Sequence, residues 1–228
     1  HGTTADLMNG QKGRYLRMNT NNPASEKTYL KIANDGSIFQ NLGKRIICGG
    51  WMRPTTYSVG NTFCPIIGTR NGPGNPIFYL SLYNGRPRIM LYNASGTLIL
   101  DESVTPPFKL ENATWYFIAA VIEPDDKNAW YVVGNRETGV VWISDALTIG
   151  GELNRSCTAD IIMGMLQSSY WYAGIFDDWF LDVDSQLTAE DLADYFRSSL
   201  CANGGDTSGA VDAITEPGSV SLRAAGGV

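Results

Sequence analysis

Residues 168–200 read SSYWYAGIFDDWFLDVDSQLTAEDLADYFRSSL, and the reading of this stretch decides the fold. Its second half predicts a short helix. Thr188 stands where an N-cap is needed, Asp191 follows three residues later as its capping-box partner, and Leu187 and Leu192 flank the cap as a hydrophobic staple. Leu192, Phe196 and Leu200 recur at every fourth position, a stripe that suits a helix lying on a sheet. Asn203-Gly204-Gly205 is expected to stop it. The first half carries Tyr170-Trp171-Tyr172, then passes through Gly174 into Ile175-Phe176-Asp177-Asp178-Trp179-Phe180.

Upstream, the chain alternates strand-like runs with turn residues. Residues 15–18 and 29–32 alternate over a few positions, and Asn34-Asp35-Gly36 is a turn. Residues 45–51 (RIICGGW) form an early apolar run ending before Met52-Arg53-Pro54. The stretch 68–76 (GTRNGPGNP) is rich in glycine and proline and is expected to be a loop. Residues 78–82 and 88–92 around Asn84-Gly85 form the best hairpin in the chain, with 97–100 as a third strand. Residues 115–122 (WYFIAAVI) are continuously apolar, which calls for a central strand covered on both faces. Residues 130–135 return antiparallel to it, and 139–143 make an edge. The expected interior includes Trp51, Leu80, Leu82, Phe117, Ala119, Val121, Val132, Ile162 and Ile175.

The closing stretch resembles that of laminin G-like domains, within the concanavalin A-like lectin and glucanase jelly rolls. Gly174, Ile175, Phe176, Asp177 and Asp178 match the family's glycine-hydrophobic-hydrophobic-Asp-Asp strand, and Leu187, Thr188, Ala189, Glu190 and Asp191 match its Leu-Ser/Thr-x-x-Glu helix start. Trp51 and Pro54 fit a W-x-x-P pattern, and the runs over residues 78–100 fit a meander block. The resemblance implies an all-β fold: an antiparallel two-sheet jelly-roll sandwich with one short C-terminal helix. The expected organisation is an N-terminal approach segment over 1–13, the jelly roll over 14–201, and a Gly/Ala/Ser-rich tail or linker over 202–228. Within that tail Val211, Ile214, Val220 and Leu222 are the residues that would pack, either on their own domain or on a neighbouring copy.

Composition narrows the function. With 43% hydrophobic and 18% charged residues, a chain of 228 residues has enough material for a sizeable core. A net charge of −6 with no run among 17 Lys and Arg argues against nucleic acid, and no apolar run approaches the roughly 20 residues of a membrane helix. Cys48, Cys64, Cys157 and Cys201 fit neither a CxxC pair nor a four-cysteine zinc site. They are either buried thiols or, if oxidised, paired Cys48 with Cys64 and Cys157 with Cys201.

Catalysis is tested by what is missing. His1 is the only histidine, so no Ser-His-Asp triad or multi-histidine zinc site can be assembled within one chain. Glycosidases need only two carboxylates, but the Glu-x-Asp-x-x-Glu spacing of the jelly-roll glucanases does not occur. The expectation is a non-catalytic binding or adhesion module outside the cell, on a cell surface or on a virion, recognising glycan or protein. A structural jelly roll of a particle, or a carbohydrate-active enzyme, are the alternatives. Tyr170, Trp171, Tyr172, Tyr83 and Tyr92 lie beside turns or polar residues and are the candidate ligand-binding rings. Asp177 and Asp178 are the candidate ligands for a structural calcium, which several jelly-roll families carry, or else bond backbone around the final strand. Asn93, Asn112 and Asn154 open N-x-S/T triplets, which are either glycosylation sites or turn chemistry.

Overall fold

The computed structural model describes residues 6–10, 13–18, 29–40, 42–55, 63–69, 76–166, 170–201 and 219–222. In chain order these form β1 (Asp6–Gly10), β2 (Gly13–Met18), β3 (Leu30–Ile32), α1 (Ser37–Gln40), β4 (Ile46–Pro54), β5 (Phe63–Thr69) and β6 (Phe78–Tyr83). Next come β7 (Arg86–Tyr92), β8 (Leu98–Ser103), β9 (Tyr116–Glu123), β10 (Asn128–Asn135), β11 (Val141–Ile143) and β12 (Leu147–Thr148). The chain closes with β13 (Ile161–Met163), β14 (Met165–Leu166), β15 (Tyr170–Trp171), β16 (Gly174–Asp182), α2 (Ala189–Cys201) and β17 (Ser219–Leu222).

Two antiparallel sheets stack as a sandwich. The larger runs β1-β2-β16-β4-β9-β10-β11, with β12 beside β10 and β17 beside β16; the smaller runs β3-β13-β5-β6-β7-β8. The fold is therefore the all-β sandwich with one short C-terminal helix that the sequence predicts. β9 is central, between β4 and β10. Its alternate residues Tyr116, Ile118, Ala120 and Ile122 face the smaller sheet, while Phe117, Ala119 and Val121 lie under α2. Its continuous apolar run is explained by this double cover.

All nine expected core residues are buried, but not in one layer. Leu80 and Leu82 fill the space between the sheets, whereas Trp51, Phe117, Ala119, Val121 and Val132 form a second core beneath the helix. The helix start has the expected reciprocal cap: Asp191 N–H donates to Thr188 Oγ1 at 3.2 Å, and Thr188 N–H donates to Asp191 Oδ2 at 2.8 Å. Thr188→Ala should lower stability by about 1 kcal/mol in chemical denaturation, with an unchanged denaturant slope.

Several expectations need correction. Cys48 and Cys64 do not pair, because β4 and β5 are not a hairpin but members of opposite sheets, and Cys48, Cys64 and Cys157 are free thiols. Burial pushes the Cys64 thiol up to about 12 and the Cys48 thiol higher still. Gly68 and Thr69 are not loop but the end of β5. Residues 6–10, read as approach segment, form β1 in a tight hairpin with β2; in the tail, Val220 and Leu222 pair with β16 within β17, in keeping with the expectation that they hold to their own domain. Asn154 is fully buried and donates to the Pro76 carbonyl at 3.2 Å, while Asn93 Oδ1 accepts from the Ser95 and Thr97 amides, so both are turn chemistry. Asn203-Gly204-Gly205, Val211 and Ile214 lie outside the described residues, as do the side chains of Tyr170, Trp171 and Cys201.

Candidate functional site

The smaller sheet has one face on the core and one turned away from it. The β6–β7 hairpin determines which residues share each face. Asn84 and Gly85 take φ of 51° and 73°, the left-handed pair that a two-residue turn of this hand requires, and this locks the register at Tyr83↔Arg86, Ser81↔Arg88 and Tyr79↔Met90. Strand alternation then sends Leu80, Leu82, Ile89 and Leu91 inward, and places Tyr79, Tyr83, Met90 and Tyr92 outward with Phe63 of β5.

These outward residues form a separate apolar cluster with an ion pair at its side. Tyr79 and Met90 make a buried floor; Tyr83 and Tyr92 are half-buried. Tyr79 and Tyr92 meet edge to face at 5.8 Å. Gly68 stands opposite Tyr79, and a Cβ there would come within 2.3 Å of its ring, so a glycine in this strand lets the tyrosine lie across the neighbouring backbone. The Arg88 guanidinium lies 4.7 Å from the centre of the Tyr83 ring and grips Asp101 of β8 through two bonds of 2.6 and 2.7 Å. That geometry is a bidentate pair stacked on an aromatic face. Hydrogen bonding to Asp101 raises the Arg88 pKa further, and burial followed by the Asp101 charge raises that of Tyr92, so one stays cationic and the other a neutral phenol.

Chemically the surface offers ring faces for apolar contact, with phenols, a guanidinium and a carboxylate around them for hydrogen bonds. Of the sequence-predicted rings it gathers Tyr83 and Tyr92 in one place. Tyr172 does not join them: it is 1% exposed between the sheets, stacked on Phe176 at 4.2 Å, and cannot present its ring to a ligand. Tyr170 and Trp171 are placed only as the backbone of β15, which pairs with β14 and lies beside β5. Phe63, Tyr79, Arg88, Met90 and Asp101 were not singled out from the sequence. The Asn84-Gly85 turn contained the signal, because once it sets the register, Arg88 and Met90 fall opposite Ser81 and Tyr79.

Asp177 and Asp178 occupy the bulge where β16 shifts register against β4. Asp178 takes φ of 46° and donates its N–H to Asp177 Oδ1 at 3.1 Å. Burial first, and the neighbouring Asp178 charge second, push the Asp177 carboxyl up to about 7. Calcium needs about six to eight oxygen donors. Among the described residues no group of three or more His, Cys, Asp or Glu side chains stands together, so a calcium at Asp177 and Asp178 would take its remaining oxygens from backbone carbonyls and water.

No family model matches the chain, and no curated protein is similar to it in sequence. Solved structures are. The enzymatically active domain of bacteriophage CBA120 tailspike protein 2 matches with a TM-score of 0.55 at 16% identity, over 83% of this chain and 27% of that one. The binding domain of Paraclostridial Mosquitocidal Protein 1 matches at 0.62 and 13% identity, over 87% and 46%. The LG1-3 region of the laminin alpha2 chain matches at 0.50 and 11%, over 67% and 29%. This chain thus spans about a quarter of the tailspike domain and less than half of the other two. No helix among the described residues is long and apolar enough to cross a membrane. At these identities the likeness establishes the architecture alone: the chain folds as an antiparallel two-sheet sandwich similar to that of the laminin LG domains.

Proposed function

We propose that this protein is a non-catalytic binding module of a particle or cell surface that holds a glycan against the outward face of its smaller sheet. The observation that carries this reading is the Tyr83–Arg88–Asp101–Tyr92 cluster, where half-buried rings and a bidentate ion pair share one face. A sugar presents an apolar face of C–H groups ringed by hydroxyls, and this surface offers the complement of both. The similar fold of the binding domain of Paraclostridial Mosquitocidal Protein 1 supports a binding role, and that of a phage tailspike's enzymatically active domain supports a place on a particle.

Tyr83→Ala and Arg88→Ala are each expected to weaken binding to the best ligand of a glycan array by about 1–2 kcal/mol in calorimetry. An Arg197→Ala control, on the exposed side of α2 over the larger sheet, should leave affinity unchanged. Binding that survives both surface substitutions would remove the site. A panel of polysaccharides should show no turnover; hydrolysis lost on replacing a single carboxylate would make the protein an enzyme.

A further inference from the structure

One edge of β16 is filled by two different parts of the chain. Over Gly174–Phe176 it pairs with β2; beyond the bulge, over Trp179–Asp182, it pairs with β17. The other edge belongs wholly to β4. β17 has only four residues, and its register runs Trp179↔Leu222 to Asp182↔Ser219. It is joined to α2 by residues 202–218, seventeen positions that include four glycines. Fully extended, such a connection reaches at most about 60 Å, roughly the span of a second domain of this size.

We propose that the Trp179–Asp182 edge of β16 is a strand-acceptor site, open to the C-terminal strand of a second copy of this chain as well as to its own. The main-chain ladder that holds β17 would be the same whichever copy supplies it, so exchange between copies sacrifices no contact that the closed form makes. What favours the chain's own strand is its covalent attachment, which makes the pairing intramolecular and is equivalent to an effective concentration on the order of millimolar. Copies held side by side at comparable local concentration would exchange strands, and one sheet would then continue from copy to copy through β17.

The test uses a fluorescent peptide of residues 215–228 and two full-length proteins, the wild type and a Val220→Pro/Ser221→Pro variant. Adjacent strand residues point their N–H groups to opposite sides, so two successive prolines remove at least one ladder donor and empty the site. The peptide should bind the variant at least ten-fold more tightly than the wild type, where the resident strand competes. A peptide carrying both prolines should not bind. Equal binding to both proteins, or binding to neither, overturns the proposal. Should the variant fail to fold by circular dichroism, the wild type decides: millimolar peptide should saturably shift the amide resonances of Trp179 to Asp182, and unmoved resonances overturn it.

Discussion

Phe196→Ala is expected to lower the free energy of unfolding by about 3–5 kcal/mol, enough to threaten the fold of a domain this size. The ring is fully buried between α2 and the larger sheet, 5.5 Å from Trp51 and 6.3 Å from Phe117. Beneath it lies Gly134 of β10, where a Cβ would sit 2.4 Å from two ring carbons. The glycine and the phenylalanine are therefore one packing unit. Gly134→Ala alone should cost about 1–3 kcal/mol by overpacking, since the ring has Trp51 and Phe117 beside it and little room to retreat. In the Phe196→Ala background the same methyl group enters space already vacated. Denaturant titration of the two single variants and the double should therefore show a coupling of at least about 1 kcal/mol. Additive losses would mean that helix and strand are not in the contact described.

The features legible in the sequence are those whose cause is local. The Thr188–Asp191 cap needs residues three apart, and the β6–β7 turn needs only Asn84-Gly85. The continuous run over 115–122 states its own double burial. What was not legible depends on distant partners. Nothing near Trp51 or Val132 says that α2, more than fifty residues away, will cover the outward face of their sheet. Gly68 looks like the start of a loop until Tyr79 is known to lie over it. β1 is a short edge strand in polar, glycine-containing sequence with no apolar alternation to mark it, whereas Val220 and Leu222 already alternate as a strand remnant, which pairing with β16 completes as β17. The candidate site divides in the same way. Tyr83 and Tyr92 could be named as turn-adjacent rings, but Asp101 joins them only because β8 pairs with β7.

Asp177→Asn should make the protein more stable above neutral pH and leave it unchanged in acid. In the folded protein burial and the Asp178 charge hold the Asp177 carboxyl at about 7, against an ordinary value of 3.8. The native state therefore keeps a proton that the unfolded chain has already released. Below about pH 3.8 both states are protonated and the group contributes no difference. As pH rises toward 7 the folded state is penalised for a charge that the unfolded chain carries freely, and above 7 the penalty is complete. A displacement of this size corresponds to about 4 kcal/mol, which residual solvent exposure reduces to about 2–3 kcal/mol. Asparagine keeps the oxygen that accepts the Asp178 N–H and removes the charge. Urea titrations at pH 2.5 and pH 8 should then show coincident curves in acid and a variant more stable by about 2–3 kcal/mol in alkali. If wild type and variant instead differ by the same amount at both pH values, the carboxyl titrates normally, and the register shift in β16 does not bury it.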